Sequence, residues 1–382
     1  MKPRFLVLIT AMAVLALFKL PATAESSDVD QLIDTLVQKG VITAETASAI
    51  RAETAMKKQA EKEKQKEFLP TTGRQIKISG YTQVRYQFHT NRTDTDTDNV
   101  SSFDIRRARP DVRGAITERF EYRLQTEFAG ATAKLLDATA AYTFDPALKI
   151  TIGQFKIPFS MENLASSTLI DAIDRSQVVE ALVSRSKDVI GNQNGRDIGV
   201  QASGALFEIG NIKLVEYAAG VFNGAGTNKL DANANKDYAA RLVVHPVQGL
   251  DIGGSYYGGY ATLGTPPAGR RRDRAGAELS YTLDPLTVKG EFIYGKDSVT
   301  EKTGWYAQAG VFAIPKILQF VVKYDSYDPN IDKKDNETDL ATAGVNLFIT
   351  KWTYIQAMYQ LKYARPDDIR DHAALAQFTI KF

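Results

Sequence analysis

The chain has 382 residues, no cysteine, 27 glycines, 17 tyrosines and 18 phenylalanines, and 47 Lys+Arg nearly cancel 45 Asp+Glu. That length suits two or three ordinary soluble domains or one large all-β unit. The missing cysteine excludes a disulfide scaffold and a thiolate metal site, the single apolar run excludes a multi-helix membrane protein, and the near-neutral charge excludes a nucleic-acid binder acting through bulk electrostatics.

At the N-terminus, Lys2 and Arg4 precede the apolar stretch from Phe5 to Phe18. That stretch is too short for a bilayer span of about 20 residues. After Pro21, Ala22-Thr23-Ala24 places small residues where a signal peptidase needs them. Residues 1–24 are therefore expected to be an export signal. Residues 25–70 read as a periplasmic helical segment. Val29, Leu32, Ile33, Leu36 and Val37 fall at helical spacing, Gly40 stops that helix, and Thr43 caps the next. The second helix runs into alternating Lys and Glu from Lys57 to Glu67, with a thin apolar stripe of Ala52, Ala55, Met56 and Ala60. Such a stripe suits either a short coiled coil or a solvated spacer.

From residue 71 to 382 the period changes to two. Ile76, Ile78, Thr82, Val84, Tyr86 and Phe88 alternate with Lys77, Ser79, Gln83, Arg85, Gln87 and His89. The last segment sets Ala374, Ala376, Phe378, Ile380 and Phe382 against Gln377, Thr379 and Lys381. Segments of this kind start near residues 75, 103, 118, 135, 149, 196, 212, 236, 249, 272, 286, 303, 316, 339, 352 and 372. Short links carry turn residues such as Asp145-Pro146 and Asp284-Pro285. Long polar links run over 90–102, 158–195, 224–235, 263–271, 325–338 and 364–371, and 130–134 is a short exception on the long side. An even strand count with short turns at one end and long loops at the other predicts an all-β, 16-stranded antiparallel outer-membrane barrel. A soluble sandwich would not carry a charged mid-strand face in most of its strands.

Arginine clusters early in this barrel. Strand parity turns Arg85, Arg107, Arg109, Arg113, Arg119 and Arg123 toward the polar face, where they are expected to form one patch on the inner wall. In the expected register Arg85 lies near Arg107, Arg109 near Arg123, and Arg113 near Arg119. The outward set shifts from Phe103 and Ile105 to Ala108 and Val112, which predicts a bulge near Arg106, with Pro110 marking the same irregularity. Lys213, Arg241, Lys289, Lys323 and Lys362 also read as inward and basic.

Several segments resemble the phosphate-selective porin O and P family: Phe103-Asp-Ile-Arg-Arg-Ala-Arg109, Gly153-Gln-Phe-Lys-Ile-Pro-Phe-Ser160 with Glu162, Arg196-Asp-Ile-Gly-Val-Gln201 and Gly220-Val-Phe-Asn-Gly-Ala-Gly226. Lys236-Asp-Tyr-Ala-Ala-Arg241 and Gly304-Trp-Tyr-Ala-Gln-Ala-Gly310 are similar as well. The resemblance implies a trimeric 16-stranded porin with a constricting third loop, and best-studied members that pass phosphate or polyphosphate through an arginine-rich lumen. It also implies recognition of the final aromatic strand, through Phe382, by the barrel assembly machinery.

A permanently charged guanidinium offers a planar fork to oxyanions, and rings of Arg or Lys make a pore favour anions. The long link from Pro158 to Gly195 carries Leu164, Leu169, Ile170, Ile173, Val178, Val179 and Leu182, which are costly to leave in water. Folding into the barrel mouth resolves that cost, with Arg175, Arg185 and Lys187 as filter charges. Other constellations are weaker. Asp94, Asp96 and Asp98 lack the Gly and Glu of a calcium loop. His89 and His372 approach each other at the rim, but parity turns only His89 inward, so no metal site is assigned. Arg270, Arg271 and Arg272 form an external basic cluster suited to lipopolysaccharide phosphates. No Ser-His-carboxylate grouping can be placed. The expectation is passive diffusion of small anions across the outer membrane, without cofactor or nucleic acid, by a homotrimer in contact with lipid and lipopolysaccharide. A non-selective porin and, further off, a barrel hydrolase are the alternatives.

Overall fold

The computed structural model describes residues 37–39, 46–48, 50–52, 69–71, 74–93, 96–209, 212–263, 268–365 and 369–382. The export signal, most of the helical segment, Asp94 and the side chains of Asp96 and Asp98 lie outside the described residues. The described pieces between 37 and 52 are helical. The chain divides into units 1–68 and 69–382.

The second unit begins with a short strand, β1 (Leu69–Thr71), followed by β2 (Arg74–Thr93), β3 (Asp96–Ala115), β4 (Phe120–Glu127), β5 (Lys134–Asp145) and β6 (Leu148–Lys156). A long inner segment then carries two short helices, α1 (Met161–Leu164) and α2 (Gln177–Leu182). Strands resume with β7 (Arg196–Ile209), β8 (Ile212–Phe222), β9 (Asp237–Val247), β10 (Leu250–Leu263) and β11 (Ala268–Leu283). The last six are β12 (Leu286–Asp297), β13 (Thr300–Ile314), β14 (Leu318–Asp328), β15 (Thr338–Phe348), β16 (Thr353–Ala364) and β17 (Ile369–Lys381).

Each strand from β2 to β17 pairs antiparallel with its sequence neighbours, and β17 pairs with β2 (Phe378 opposite Val84), so sixteen strands close into a barrel. Two backbone hydrogen bonds finish that seam: Gly80 N–H to the Phe382 carbonyl (2.9 Å) and Phe382 N–H to the Gly80 carbonyl (3.0 Å). Closure matters because an open sheet edge leaves backbone groups unpaired. β1 pairs with the start of β2.

The period of two sets the faces. Phe103 (77% exposed), Phe292, Trp305, Phe320 and Phe378 point outward, whereas Gln83 and Thr379 are 0% exposed inside. Apolar outside and polar inside is the arrangement of a barrel whose solvent is lipid. Gly153 shows how tightly the ladder is drawn. Its φ is +116°, and a Cβ there would stand 2.0 Å from the Ala138 carbonyl oxygen, so only glycine fits.

Several expected boundaries move. The links over 90–102 and 263–271 are largely strand, since β2–β3 and β10–β11 continue as long hairpins. Polar side chains on a strand that rises into water look like loop residues in sequence. The Arg270–Arg272 cluster accordingly belongs to β11: Arg272 points inward and is buried, while Arg271 is exposed and paired with Asp273. Lys213 shares its face with Val215, Tyr217 and Val221, the outward one, and so does not line the interior.

Candidate permeation site

After β6 the chain turns into the barrel. Val178, Val179 and Leu182 of α2 pack with Phe155, Ile157 and Phe159 against the inward Tyr257, Ile293 and Tyr306. Ile173 packs on Val321, Met358 and Leu375. The wall is therefore apolar where the segment touches it, which accounts for the segment's own apolar residues. Leu169 is the exception, at 65% exposed.

Polar anchors fix the segment between those contacts. Glu162 pairs with Lys323 on β14 at 2.8 Å, both buried. Asp171 accepts from Lys289 on β12 and from Gln308 on β13, each at 2.8 Å. Asp174 takes Arg106 and, at 3.2 Å, Gln360 on β16. Gln177 N–H donates to Asp325 at 3.2 Å, and Asp188 accepts from Arg272 at 3.0 Å. Met161 N–H donates to the carboxylates of Glu278 and Glu291, and Glu162 N–H donates to Glu291. Burial works to raise the Asp174 carboxyl, but Arg106 and Arg85 overcome it and hold it at about 2. The anchor thus stays ionised at any ordinary pH.

Between this segment and the wall of β2 and β3 lies a cavity of about 570 Å³. Nine cationic side chains line it against four carboxylates, Glu127, Asp174, Glu180 and Asp371. Arg85, Arg107 and Arg109 reach it from the wall, and Arg175, Arg185 and Lys187 from the inner segment. Some of these charges are committed: Arg85 to Asp104 at 3.0 Å, Arg109 to Glu127 at 2.6 Å, Arg185 to Glu180 at 3.1 Å. Others are not. Arg107 donates to the Gln83 amide oxygen at 2.8 Å and meets no carboxylate among the described residues. Arg175 donates one bond, to the Ala165 carbonyl at 2.7 Å, and its buried Nε and Nη1 have no acceptor among the described residues. Buried Arg106 Nη1 has none either. Burial first, and Arg185 second, push the Arg175 guanidinium down to about 9, the direction expected of a cation crowded by cations and short of counter-charge.

The expected arginine patch divides in three. Arg85, Arg107 and Arg109 line the cavity. Arg113 and Arg123 face each other in register and clamp the carboxylate of Asp111 at 2.8 and 2.7 Å. Arg119 lies in the β3–β4 turn, exposed. The register predicted for Arg109–Arg123 and Arg113–Arg119 is thus displaced, because the turn is centred near Glu118 and held by Phe120 N–H on Thr117. Arg85 stands opposite Asp104, and Arg107 opposite Gln83. The bulge at Arg106 is present, between the Gln83–Arg107 and Val84–Ile105 pairs, and it turns Arg106 inward onto Asp174. Pro110 marks a separate irregularity. The β3–β4 pairing runs from Ala115 to Asp111, and beyond the proline only Phe128 N–H to Ala108 O (2.9 Å) continues it.

Sequence reasoning missed three inward groups. Lys134 lines the cavity from the start of β5. Lys156 holds the inner segment by donating to the Leu164 and Ala165 carbonyls at 3.0 and 2.8 Å. Arg196 and Asp137, 2% and 1% exposed, pair at 2.8 Å across the wall. The signal for Lys156 and Arg196 was their place in the quoted motifs.

The fold has close counterparts among solved structures, all at low identity. An anion-selective porin from Comamonas acidovorans superposes with a TM-score of 0.63 at 11% identity, covering 81% of this chain and 100% of that one. OmpF of Salmonella typhi, in complex with daunomycin, gives 0.61 at 11% over 82% and 100%. The outer membrane channel DcaP of Acinetobacter baumannii gives 0.59 at 10% over 82% and 99%. No curated protein matches the sequence. Residues 76–259 match the family model for phosphate-selective porin O and P, and that match bears out the resemblance read from the motifs.

Proposed function

We propose that this chain is an outer-membrane porin through which small anions diffuse passively, with preference set in the cavity between the β2–β3 wall and the inner segment. One observation carries the reading: nine cationic side chains face four carboxylates there, and Arg106 and Arg175 keep buried guanidinium nitrogens without an acceptor. Those donors favour an oxyanion passing by. The neighbouring carboxylates keep binding weak enough for release. Arg85, Arg107, Arg109, Arg175, Arg185 and Lys187 are assigned to this path. Arg113, Arg119 and Arg123 are not, since they lie on Asp111 or in the turn. Phosphate and polyphosphate belong to the same anion class as sulfate or small carboxylates, and the wall chemistry suits each of them.

The rest of the assignment follows the barrel: residues 1–24 as export signal, 25–70 as a helical periplasmic segment, and 71–382 as the porin. Assembly is as a homotrimer in lipid and lipopolysaccharide, with Phe382 read by the assembly machinery. The test is the reversal potential of single channels in a salt gradient. Replacing Arg107 and Arg175 together with Gln should lower the anion-to-cation permeability ratio roughly tenfold, equivalent to about 1.4 kcal/mol. An unchanged ratio in the folded variant leaves a general, non-selective porin, the reading that Glu127, Asp174 and Glu180 favour. Lipid and peptide hydrolysis assays test the enzyme alternative, and turnover by the purified barrel would establish it.

A further inference from the structure

The inward arginines of the β2–β3 wall meet acceptors of two kinds. Arg85 pairs with the Asp104 carboxylate at 3.0 Å, and Arg109 pairs with the Glu127 carboxylate at 2.6 Å. Arg107 instead donates to the Gln83 amide oxygen at 2.8 Å. A carboxylate cancels the charge it binds. An amide carbonyl orients a guanidinium just as well and leaves the charge standing. Gln and Glu have nearly the same shape, so the choice between them at such a place concerns charge more than packing.

Gln83 is fully buried, and its amide can point only one way. It stands opposite Arg107 on β3 and Thr379 on β17. Its Nε2 donates to the Thr379 hydroxyl and to the Ser167 carbonyl of the inner segment, each at 3.3 Å. Ser167 is fixed in turn: its hydroxyl lies 2.9 Å from the Tyr81 hydroxyl and accepts from Arg109 at 3.3 Å. A flipped amide would set N–H groups against the guanidinium and an oxygen against the Ser167 carbonyl, two repulsive contacts in place of two bonds. The carbonyl therefore faces Arg107. The bulge adds a second condition. It turns Arg106 inward beside Arg107, and Arg106 takes Asp174. Arg107 is left with the amide and with no carboxylate among the described residues.

We infer that Gln83 is the positioning residue behind the channel's anion preference: its amide aims Arg107 at the path without neutralising it. The amide at Gln83 and the carboxylate at Glu127 then divide the wall into a charge on offer and a charge already spent. Both residues act through an arginine, and the balance between them sets how strongly anions are favoured. The assignment deepens the porin reading above and rests on it.

Reversal potentials of single channels of the full-length protein, in a potassium chloride gradient, provide the test. Gln83→Glu keeps the shape and the acceptor and adds the cancelling charge. It should lower the anion-to-cation permeability ratio roughly threefold, half on a logarithmic scale of the tenfold expected when two cations are removed. Glu127→Gln makes the opposite exchange at Arg109 and should raise the ratio by a similar factor. The two together move a carboxylate from one arginine to the other at constant net charge, so the ratio should return close to that of the parent. Lost packing gives no such pattern, since it lowers the temperature of heat modification whichever way the charge changes. A folded Gln83→Glu channel with the parent's ratio overturns the inference, and so does a double variant as depleted as Gln83→Glu alone. Should Gln83→Glu fail to fold, because it strands the Ser167 carbonyl without a donor, the double variant and Glu127→Gln decide, and a lowered or unchanged ratio in Glu127→Gln overturns it. The two levels separate in the parent. Parent channels without anion preference sink the porin selectivity itself, whereas a parental preference that neither exchange moves sinks only the role of Gln83.

Discussion

Inside the barrel, the wall of β2 and β3 and the wall of β12–β16 face the same inner segment with different chemistry. On the far wall nearly every charge is committed: Lys289 to Asp171, Lys323 to Glu162, and the Glu291 carboxylate to two backbone N–H groups of the segment. Amides do the rest, as where Gln356 donates to the Asp171 carbonyl at 2.9 Å. On the near wall, Arg107 has an amide for company and Arg106 keeps an unpartnered nitrogen. One wall is a cradle and the other, on the function proposed above, the working surface. The lesson is that the count of basic residues in a lumen says little until each has been asked whether it already has a partner.

Four changes break or sharpen that contrast. The largest effect belongs to the segment itself. Deleting residues 169–182 removes Asp171, Asp174 and α2 together, and single-channel conductance should rise several-fold. Unchanged conductance would place the narrowest point elsewhere. Next is the cradle. Lys323→Met strands Glu162, 4% exposed, without its cation, and breaking a buried pair costs about 3–5 kcal/mol. Noisy openings and a lower temperature of heat modification should follow. Lys323→Met combined with Glu162→Gln should recover much of the loss, and no recovery would argue against the pair as the cause. Smaller still is the single change Arg107→Gln, which should move the reversal potential toward zero, whereas Arg113→Gln should leave it in place because Asp111 has absorbed that charge. Equal shifts would contradict the division of the patch. Arg119→Ala should alter neither conductance nor selectivity, and a change in either would displace it from the turn.

Much of this was legible in the chain. Alternation such as Ile76–His89 found the strands because one face meets lipid and the other water, and a period of two survives any tertiary detail. The bulge at Arg106 was legible for the same reason, as a break in the outward set. The β3–β4 register was not, because two residues of turn placement around Thr117 move each facing pair by four. Hairpin tips such as 96–102 were misread because polarity there reports water, not the lack of a strand. The cradle was least legible. Asp171 and Lys289 are 118 residues apart, and Glu162 and Lys323 are 161 apart, so no local pattern links them. Apart from Phe103–Arg109, which supplies Arg107 and Arg109 to the cavity, some of the quoted motifs proved to be architectural. Asp197, for instance, accepts from Gly224 N–H at 2.7 Å and also receives Gly226 N–H, tying two motifs into one loop mouth.

Those long separations have a consequence for how the molecule is made. The inner segment leaves the chain before β11–β16 exist, yet its contacts include Gln356, 186 residues beyond Ile170, and reach as far as Leu375. Contacts so distant in sequence form late and slowly. Val178 and Val179, at 0% exposure, lie between the wall and the lumen, with no route outward once β17 has met β2. The segment must already be in place when the seam shuts. The segment that fills part of the finished barrel is, during folding, the mandrel around which the second half of the sheet is wound.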